Sequence, residues 1–459
     1  VNTPTSRRSF LKRSVWWLAA IPSSLLTLLY VWLSRDTRPR YPTTAVNDNA
    51  PNLSVVSQPI EVLTAHAYTQ QLHAAVEAHG LSAFTQDFRA LLQQTAQACV
   101  LEDGQWVIPS QPYANYFFVR DSFWLLAALH DRRLSSIAVK RFHGLQATKS
   151  NGQVGTALYR VPGAPPYAPD TPAPAHDDES TLLYILHNYL LYRLQGEIEH
   201  PSLERAYTFL LSKLHFGGYV TMGDQHSAQQ VNTLGAYHYW ADTFRPAGKP
   251  QATPEIITYN QGLLCVALRC LEAMGVNIHR EVREQAERFY ANVVNPADGR
   301  TLPQRAGSTV MDVSSLIGEA LSLYWFDTPL LSDERVRATL EHFAPVRYPN
   351  GDFLGFKVIS DFDGSYRPQR EFIHPELNLA GHYHNGGSWL LYDALALYVG
   401  MRHHTPGATE LFLRRLQSEV KHSRASHEFI ITHPAHLGDT ASERAGYGWN
   451  AFVWRLLPA

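Results

Sequence analysis

A chain of 459 residues, 45% hydrophobic and 17% charged, carries ample apolar surface for a large core, which excludes an intrinsically disordered protein. Its formal net charge of −2, with no sustained basic run in the body of the chain, lacks the electrostatic footprint of a nucleic-acid-binding protein. The three cysteines exclude a disulfide framework or a zinc site, since Cys265 and Cys270 lie five apart in one predicted helix and their side chains diverge.

In chain order, the first element is an address. Ser6 to Lys12 reads SRRSFLK, and an apolar run extends from Val15 to Leu33. A charged stretch joined to an apolar one marks a targeting element. The paired arginines resemble the bacterial twin-arginine export signal, which implies the twin-arginine export machinery as a partner, folding before export, and work in the periplasm or outside the cell. The apolar run approaches the roughly 20 residues needed to cross a bilayer, and no small-x-small cleavage site follows. An uncleaved membrane anchor over residues 15–33 therefore stays open beside a cleaved signal. The expected organisation is a signal or anchor over 1–34, a polar, proline-containing linker over 35–58, and one body over 59–459.

Helical periodicity dominates the body. Leu203, Ala206, Tyr207, Leu210 and Leu214 follow the i, i+3, i+4, i+7 stripe, as do Leu264, Ala267, Leu268 and Leu271, and later Leu391, Ala394, Leu395 and Tyr398. About a dozen such segments follow Ile60, with few alternating strands, so the class is all-α. Short links near 196–201, 275–280, 327–332 and 401–408 alternate with long ones near 148–177, 215–254, 295–311, 344–385 and 422–444. Short links make antiparallel hairpins, and long links joining successive hairpins emerge on one side. About six hairpins close an (α/α)6 toroid whose last helix, residues 445–457, pairs with an N-terminal one; an open solenoid lacks the fixed-length repeat it requires.

Each long link delivers polar residues to the next helix. NYFFVRDSFW supplies Arg120 and Asp121, AHDDES supplies Asp177, Asp178 and Glu179, YHYWADTF supplies Trp240 and Asp242, GHYHNGGSW supplies His384 and Asn385, and SHEFIITH supplies Glu428. Acids at helix N-termini cap free N–H groups and suit the dipole, which for the Asp177–Glu179 run competes evenly with a ligand role. Asp242 differs, because it stands among Tyr237, Tyr239, Trp240 and Phe244, before the next helix near Glu255. Apolar neighbours raise a carboxyl pKa, as a general acid near neutral pH requires. Glu428 lies in the final long link. Two carboxylates across a sugar-sized gap are the arrangement for glycoside hydrolysis, one protonating the leaving oxygen and the other activating water. Trp389 is expected in the core.

These segments, in this order from about Asn115 onward, resemble the six-hairpin glycosidases, and within them the alkaline and neutral invertases: FFVRDS, DDESTLLYIL, WAD before PEIITYNQGLLCVALRC, HEFI, and YHNGGSW, which matches outright. The resemblance implies an inverting hydrolase of an α-linked glucoside or oligosaccharide. Asp242 would be the general acid and Glu428 the general base, with Arg120, Asp121, Asp178, His384 and Asn385 holding hydroxyls of the innermost sugar and Trp240 lining the site. It implies a carbohydrate substrate, no cofactor and no metal. Thr243 and Phe244 stand where invertases carry arginines, and Leu390 where they usually carry proline, so sucrose, other α-glucosides and an exported oligosaccharide stay open. Other readings on the same scaffold are a sugar epimerase using its histidines, a phosphorylase, and a non-catalytic carbohydrate-binding or polysaccharide-assembly protein.

Overall fold

The computed structural model describes residues 67–459 except 102–104, 148–149, 161–176, 197, 199, 222–238, 245–254, 373, 424–425, 441–445 and 458–459. The expected signal, anchor and linker, together with Tyr237, lie outside the described residues.

Twelve α-helices occur among the described residues: α1 (Ala67–Ala78), α2 (Ser82–Ala98), α3 (Val119–Leu129), α4 (Arg132–Ala147), α5 (Asp177–Gln195), α6 (His200–Ser212), α7 (Thr258–Ala273), α8 (Arg280–Asn292), α9 (Ile317–Phe326), α10 (Asp333–His342), α11 (Leu390–Arg402) and α12 (Ala408–Ser423). The helices fall into two compositional kinds. In α7, α9 and α11 nearly every side chain is buried, as an apolar circumference demands. In α8 only Ala286 and Tyr290 are buried, leaving the charged face of REVREQAERFYAN to solvent.

The first kind forms an inner ring. α3 packs on α5, α5 on α7, α7 on α9, α9 on α11, and α11 on a 3-10 helix, Gly448–Leu456, which packs back on α3. Helices α2, α4, α6, α8, α10 and α12 lie outside, and the fold is an (α/α)6 toroid. The last inner element departs from the expected α-helix: it winds as a nine-residue 3-10 helix, a form that rarely runs so long, with Gly448 pressed so close to Cys99 that a β-carbon there would lie 2.8 Å from its Sγ. Between α7 and α9, Gly262 and Gly318 face each other, and a β-carbon on Gly318 would stand 2.3 Å from Gly262 Cα. Ring closure at this crossing requires both glycines.

Chain reversal is asymmetric. His130, Gly196, Gly275, Asp327 and His404, just past the ends of α3, α5, α7, α9 and α11, adopt positive φ, the turn that ends helices abruptly and keeps those links short. The long links run from outer helices back to inner N-termini. They contain the five two-stranded antiparallel sheets found among the described residues, pairing Val100–Leu101 with Trp106–Val107, Tyr116–Phe118 with Ala157–Tyr159, Leu214–His215 with Gly218–Tyr219, Met311–Asp312 with Ile359–Ser360, and Pro345–Arg347 with Phe353–Phe356. Leu214, expected on a helix stripe, belongs to one of these strands. The inner N-termini and long links therefore share one rim. No helix among the described residues is long and apolar enough to cross a membrane.

Candidate active site

The site begins at the first turn of α3. Phe118 is extended and pairs with the strand of Ala157, so helical φ starts at Val119 and places Arg120 and Asp121 at the rim. Arg120 Nη1 donates to the Trp240 carbonyl at 3.2 Å and to Glu179 Oε2 at 3.4 Å. Its Nε lies 3.9 Å from Asp121 Oδ2, and its guanidinium sits over the Trp449 ring at 5.6 Å. Burial alone would lower the Arg120 pKa, but Glu179, then Asp121, Tyr392 and Asp242 hold it well above its ordinary value. One half-buried cation thus gathers acids from three of the predicted segments.

The DDES run divides its acids. Asp178 Oδ1 pairs with Lys213 Nζ at 3.0 Å, beside α6. Glu179 instead faces Arg120, and its Oε1 accepts from the Tyr259 hydroxyl at 2.8 Å. Both carboxylates are fully buried. Consecutive helical residues point about 100° apart, so one acid faces the arginine and its neighbour is turned to another partner. Asp178, expected to hold a sugar hydroxyl, thus has one oxygen paired with Lys213, and the acid of this run that bonds Arg120 is Glu179. Of Asp177, only its place at the start of α5 is described.

Trp240 lies at the centre. It packs edge-on to His384 at 4.9 Å and Trp389 at 5.2 Å, tilted against Tyr392 at 4.3 Å. Two residues on, Asp242 keeps 19% of its side-chain surface exposed, and its Oδ1 stands 3.8 Å from His384 Nδ1. The same ring nitrogen is 2.7 Å from Thr243 Oγ1, which donates to Asn378 Oδ1 at 3.3 Å. With the Thr243 proton on Asn378, His384 carries its own on Nδ1, toward Thr243 and Asp242.

The YHNGGSW stretch now has a physical account. Tyr383 takes positive φ and stacks on His384 at 4.0 Å. Gly386 has φ 86°, and a β-carbon there would lie 2.7 Å from the Tyr366 ring; one on Gly387 would lie 2.6 Å from the Tyr383 carbonyl. The paired glycines let the turn fold onto itself beneath Tyr366. Trp389 is 1% exposed and donates to the Tyr383 carbonyl, as expected of a core residue. Asn385 differs from its expected role. Its Oδ1 accepts from Arg367 N, and its Nδ2 donates to the carbonyls of Arg367 and Asn378, each at 3.0 Å. Both amide protons are spent on backbone, so the side chain splints two loops and has no donor left for a hydroxyl.

Glu428 is 2% exposed. Its loop is bound to the same turn, Ser388 and Ile430 exchanging both backbone hydrogen bonds at 2.9 Å. The Asn450 amide holds the His427 carbonyl at 2.7 Å. Tyr447 completes the circuit, donating to Asp121 Oδ1 at 3.0 Å. Burial, then the charges of Asp121 and Glu428, push the Tyr447 hydroxyl well above its ordinary pKa. The charges of Asp242 and Glu428, 186 positions apart in the sequence, act on Arg120 and on Tyr447 respectively, and the Tyr447 hydrogen bond to Asp121 ties Tyr447 to the neighbour of Arg120.

Glu179 stands in the DDES run as a candidate acid without an assigned role, and Thr243 and Tyr259 lie in quoted segments that gave them none; Asn378 and Tyr447 sit in no recognisable motif. Among the described residues no group of three or more His, Cys, Asp or Glu side chains is placed to hold a metal ion.

No family model matches the chain, and no curated protein does. Solved structures do. A GH63 mannosylglycerate hydrolase from Thermus thermophilus in complex with glucose aligns over 80% of this chain and 99% of its own, with a TM-score of 0.50 and 12% identity. A structure described as a wild-type glycosidase aligns over 82% and 99%, with a TM-score of 0.49 and 13% identity. At 12% identity the first is a likeness of fold, in agreement with the inner and outer rings.

Proposed function

We propose that this protein is an inverting glycoside hydrolase acting on an α-linked glucoside or oligosaccharide, with Asp242 as general acid and Glu428 as general base. What supports this reading is a charged cluster at the rim of an (α/α)6 toroid: Asp242 stands 3.8 Å from His384 and its charge acts on Arg120, while the charge of the buried Glu428 acts on Tyr447, which donates to Asp121. A hydrolase of this type needs one acid to protonate the departing oxygen and a second group to take a proton from the attacking water. Asp242 is the more accessible of the pair, as a residue reaching the glycosidic oxygen must be.

In this reading Arg120 and Asp121 hold sugar hydroxyls with Glu179 in place of Asp178, Trp240 lines the pocket, and His384 sets Asp242 from the side. Asn385 acts through the loop it splints. The YHNGGSW, VRDS and WAD stretches support kinship with the invertase-like members of the fold. The SRRSFLK segment and the apolar run after it support export through the twin-arginine machinery, with anchoring by residues 15–33 where the segment is retained.

The test is a panel of α- and β-linked glucosides, including sucrose, trehalose, maltose and 4-nitrophenyl α-glucoside, with NMR of the anomer first released. Release of the β-anomer from an α-glucoside, together with a loss of about 10²–10⁴ in kcat for Asp242→Asn, is the expected result. Binding without turnover, a retained anomer, or turnover dependent on phosphate would each overturn it.

A further inference from the structure

Trp240 is held by a buried chain that the chemistry above does not use. Asp312, 1% exposed, precedes the 3-10 turn Val313–Leu316 that leads into α9. Its Oδ1 accepts from Ser314 N at 2.8 Å and from Ser314 Oγ at 2.6 Å. With its only proton given to Asp312, the Ser314 hydroxyl presents lone pairs, and Trp240 Nε1 donates to it at 2.5 Å. The other end of Trp240 is the carbonyl that receives Arg120, and Asp242 follows two residues later.

The same station meets the YHNGGSW turn. Asp312 pairs with Ile359 across the strand of Met311, Val313 N donates to the Val358 carbonyl, and Val358 N donates to the Gly387 carbonyl at 3.1 Å. Burial pushes the Asp312 carboxyl up to about 7, against the pull of Ser314 and Trp240. The Tyr392 hydroxyl and, through the Trp240 carbonyl, Arg120 also face this cluster. A buried acid that is costly to ionise contributes little that an apolar side chain would not contribute to packing. What it supplies is direction, since a serine hydroxyl fixed by a carboxylate accepts from one side only.

We propose that Asp312 and Ser314 are positioning residues for the acid loop: Asp312 orients the Ser314 hydroxyl, Ser314 fixes the Trp240 ring, and the fixed tryptophan sets Arg120 and Asp242 for catalysis. The proposal rests on the glycosidase reading with Asp242 as acid.

The experiment uses the full chain and the member of the glucoside panel that the wild type turns over fastest. Ser314→Ala and Asp312→Ala each lower kcat about tenfold or more with KM within about twofold. Asp312→Asn, which keeps an acceptor oxygen, recovers kcat to within about threefold of wild type. The Asp312→Ala/Ser314→Ala double variant is no slower than the slower single, because both act on one chain of bonds. Folded Ser314→Ala and Asp312→Asn variants with wild-type kcat for the first, or with equal tenfold losses for both, overturn the proposal. A wild type that hydrolyses no member of the panel overturns the glycosidase reading instead, and the two failures are distinct.

Discussion

The Tyr447 hydroxyl donates to Asp121 Oδ1 at 3.0 Å, joining residues 326 positions apart. The bond ties the first inner helix to the loop entering the last inner element, so it closes the ring at the rim beside Arg120 and Asp121. Tyr447→Phe removes a hydrogen bond to a buried carboxylate oxygen, which costs about 1–3 kcal/mol. The expected outcome is a lower midpoint in urea with an unchanged m-value, together with reduced kcat. Full activity at wild-type stability would show that the network does not depend on this bond.

Much of this arrangement was legible in the sequence because it depends on spacing. Link lengths alternate since inner helices end in abrupt positive-φ turns while outer helices return through long loops, and that asymmetry survives in the chain as short and long gaps between stripes. VRDS, WAD, YHNGGSW and HEFI were visible as polar interruptions before apolar helices. What spacing does not encode is rotation about a helix or the use of a side chain by backbone. Asp178 and Glu179 look alike in sequence, and only the phase of α5 against α6 and α3 gives one to Lys213 and the other to Arg120. Asn385 reads as a polar ligand, yet its amide is consumed by Arg367 and Asn378. The last inner element read as α-helical because its apolar pattern suits either winding.

The split within DDES gives a paired test. Glu179→Gln weakens the hold on Arg120 and leaves the Tyr259 hydroxyl bond available, so kcat/KM for the best glucoside should fall at least tenfold with little loss of stability. Asp178→Asn removes the partner of Lys213 away from the cluster. It should cost about 1–3 kcal/mol in denaturant while kcat/KM stays within about threefold. The reverse pattern, with activity tracking Asp178, would restore the expectation from the sequence and remove Glu179 from the site.

Gly386 offers a backbone test of the YHNGGSW turn. Its φ of 86° is unfavourable for a residue with a β-carbon, and that carbon would intrude on Tyr366 at 2.7 Å. Gly386→Ala should destabilise by about 1–3 kcal/mol through strain alone. Because the displaced segment carries His384 and adjoins the strand bridge to Ile430, turnover should fall further than stability predicts. Hydrogen exchange at Ser388 and Ile430, whose amides bond reciprocally, should accelerate in the variant. Unchanged protection of both amides would show that the turn absorbs the methyl group locally.

Far from these groups, His403 links α9, α10 and α11, with Nε2 2.7 Å from Glu319 Oε1 and Nδ1 2.7 Å from Asp333 Oδ1. Glu319 Oε2 in turn accepts the amides of Leu330 and Leu331. Burial alone would lower the His403 pKa, but Glu319 and then Asp333 raise it above the ordinary value of 6.5. A histidine whose folded pKa exceeds its unfolded one binds its proton more tightly when folded. Its stabilisation is therefore complete below about pH 6.5 and is lost as pH rises through the folded value. Urea unfolding followed from about pH 6 to about pH 9 should show stability declining across that window, with a slope from this residue of at most about 1.4 kcal/mol per pH unit. Glu319 is fully buried whereas Asp333 is largely exposed, so screening reduces the contribution of Asp333. His403→Gln should flatten the decline and Asp333→Asn should reduce it only slightly; a decline in His403→Gln as steep as in the wild type would assign it to another group.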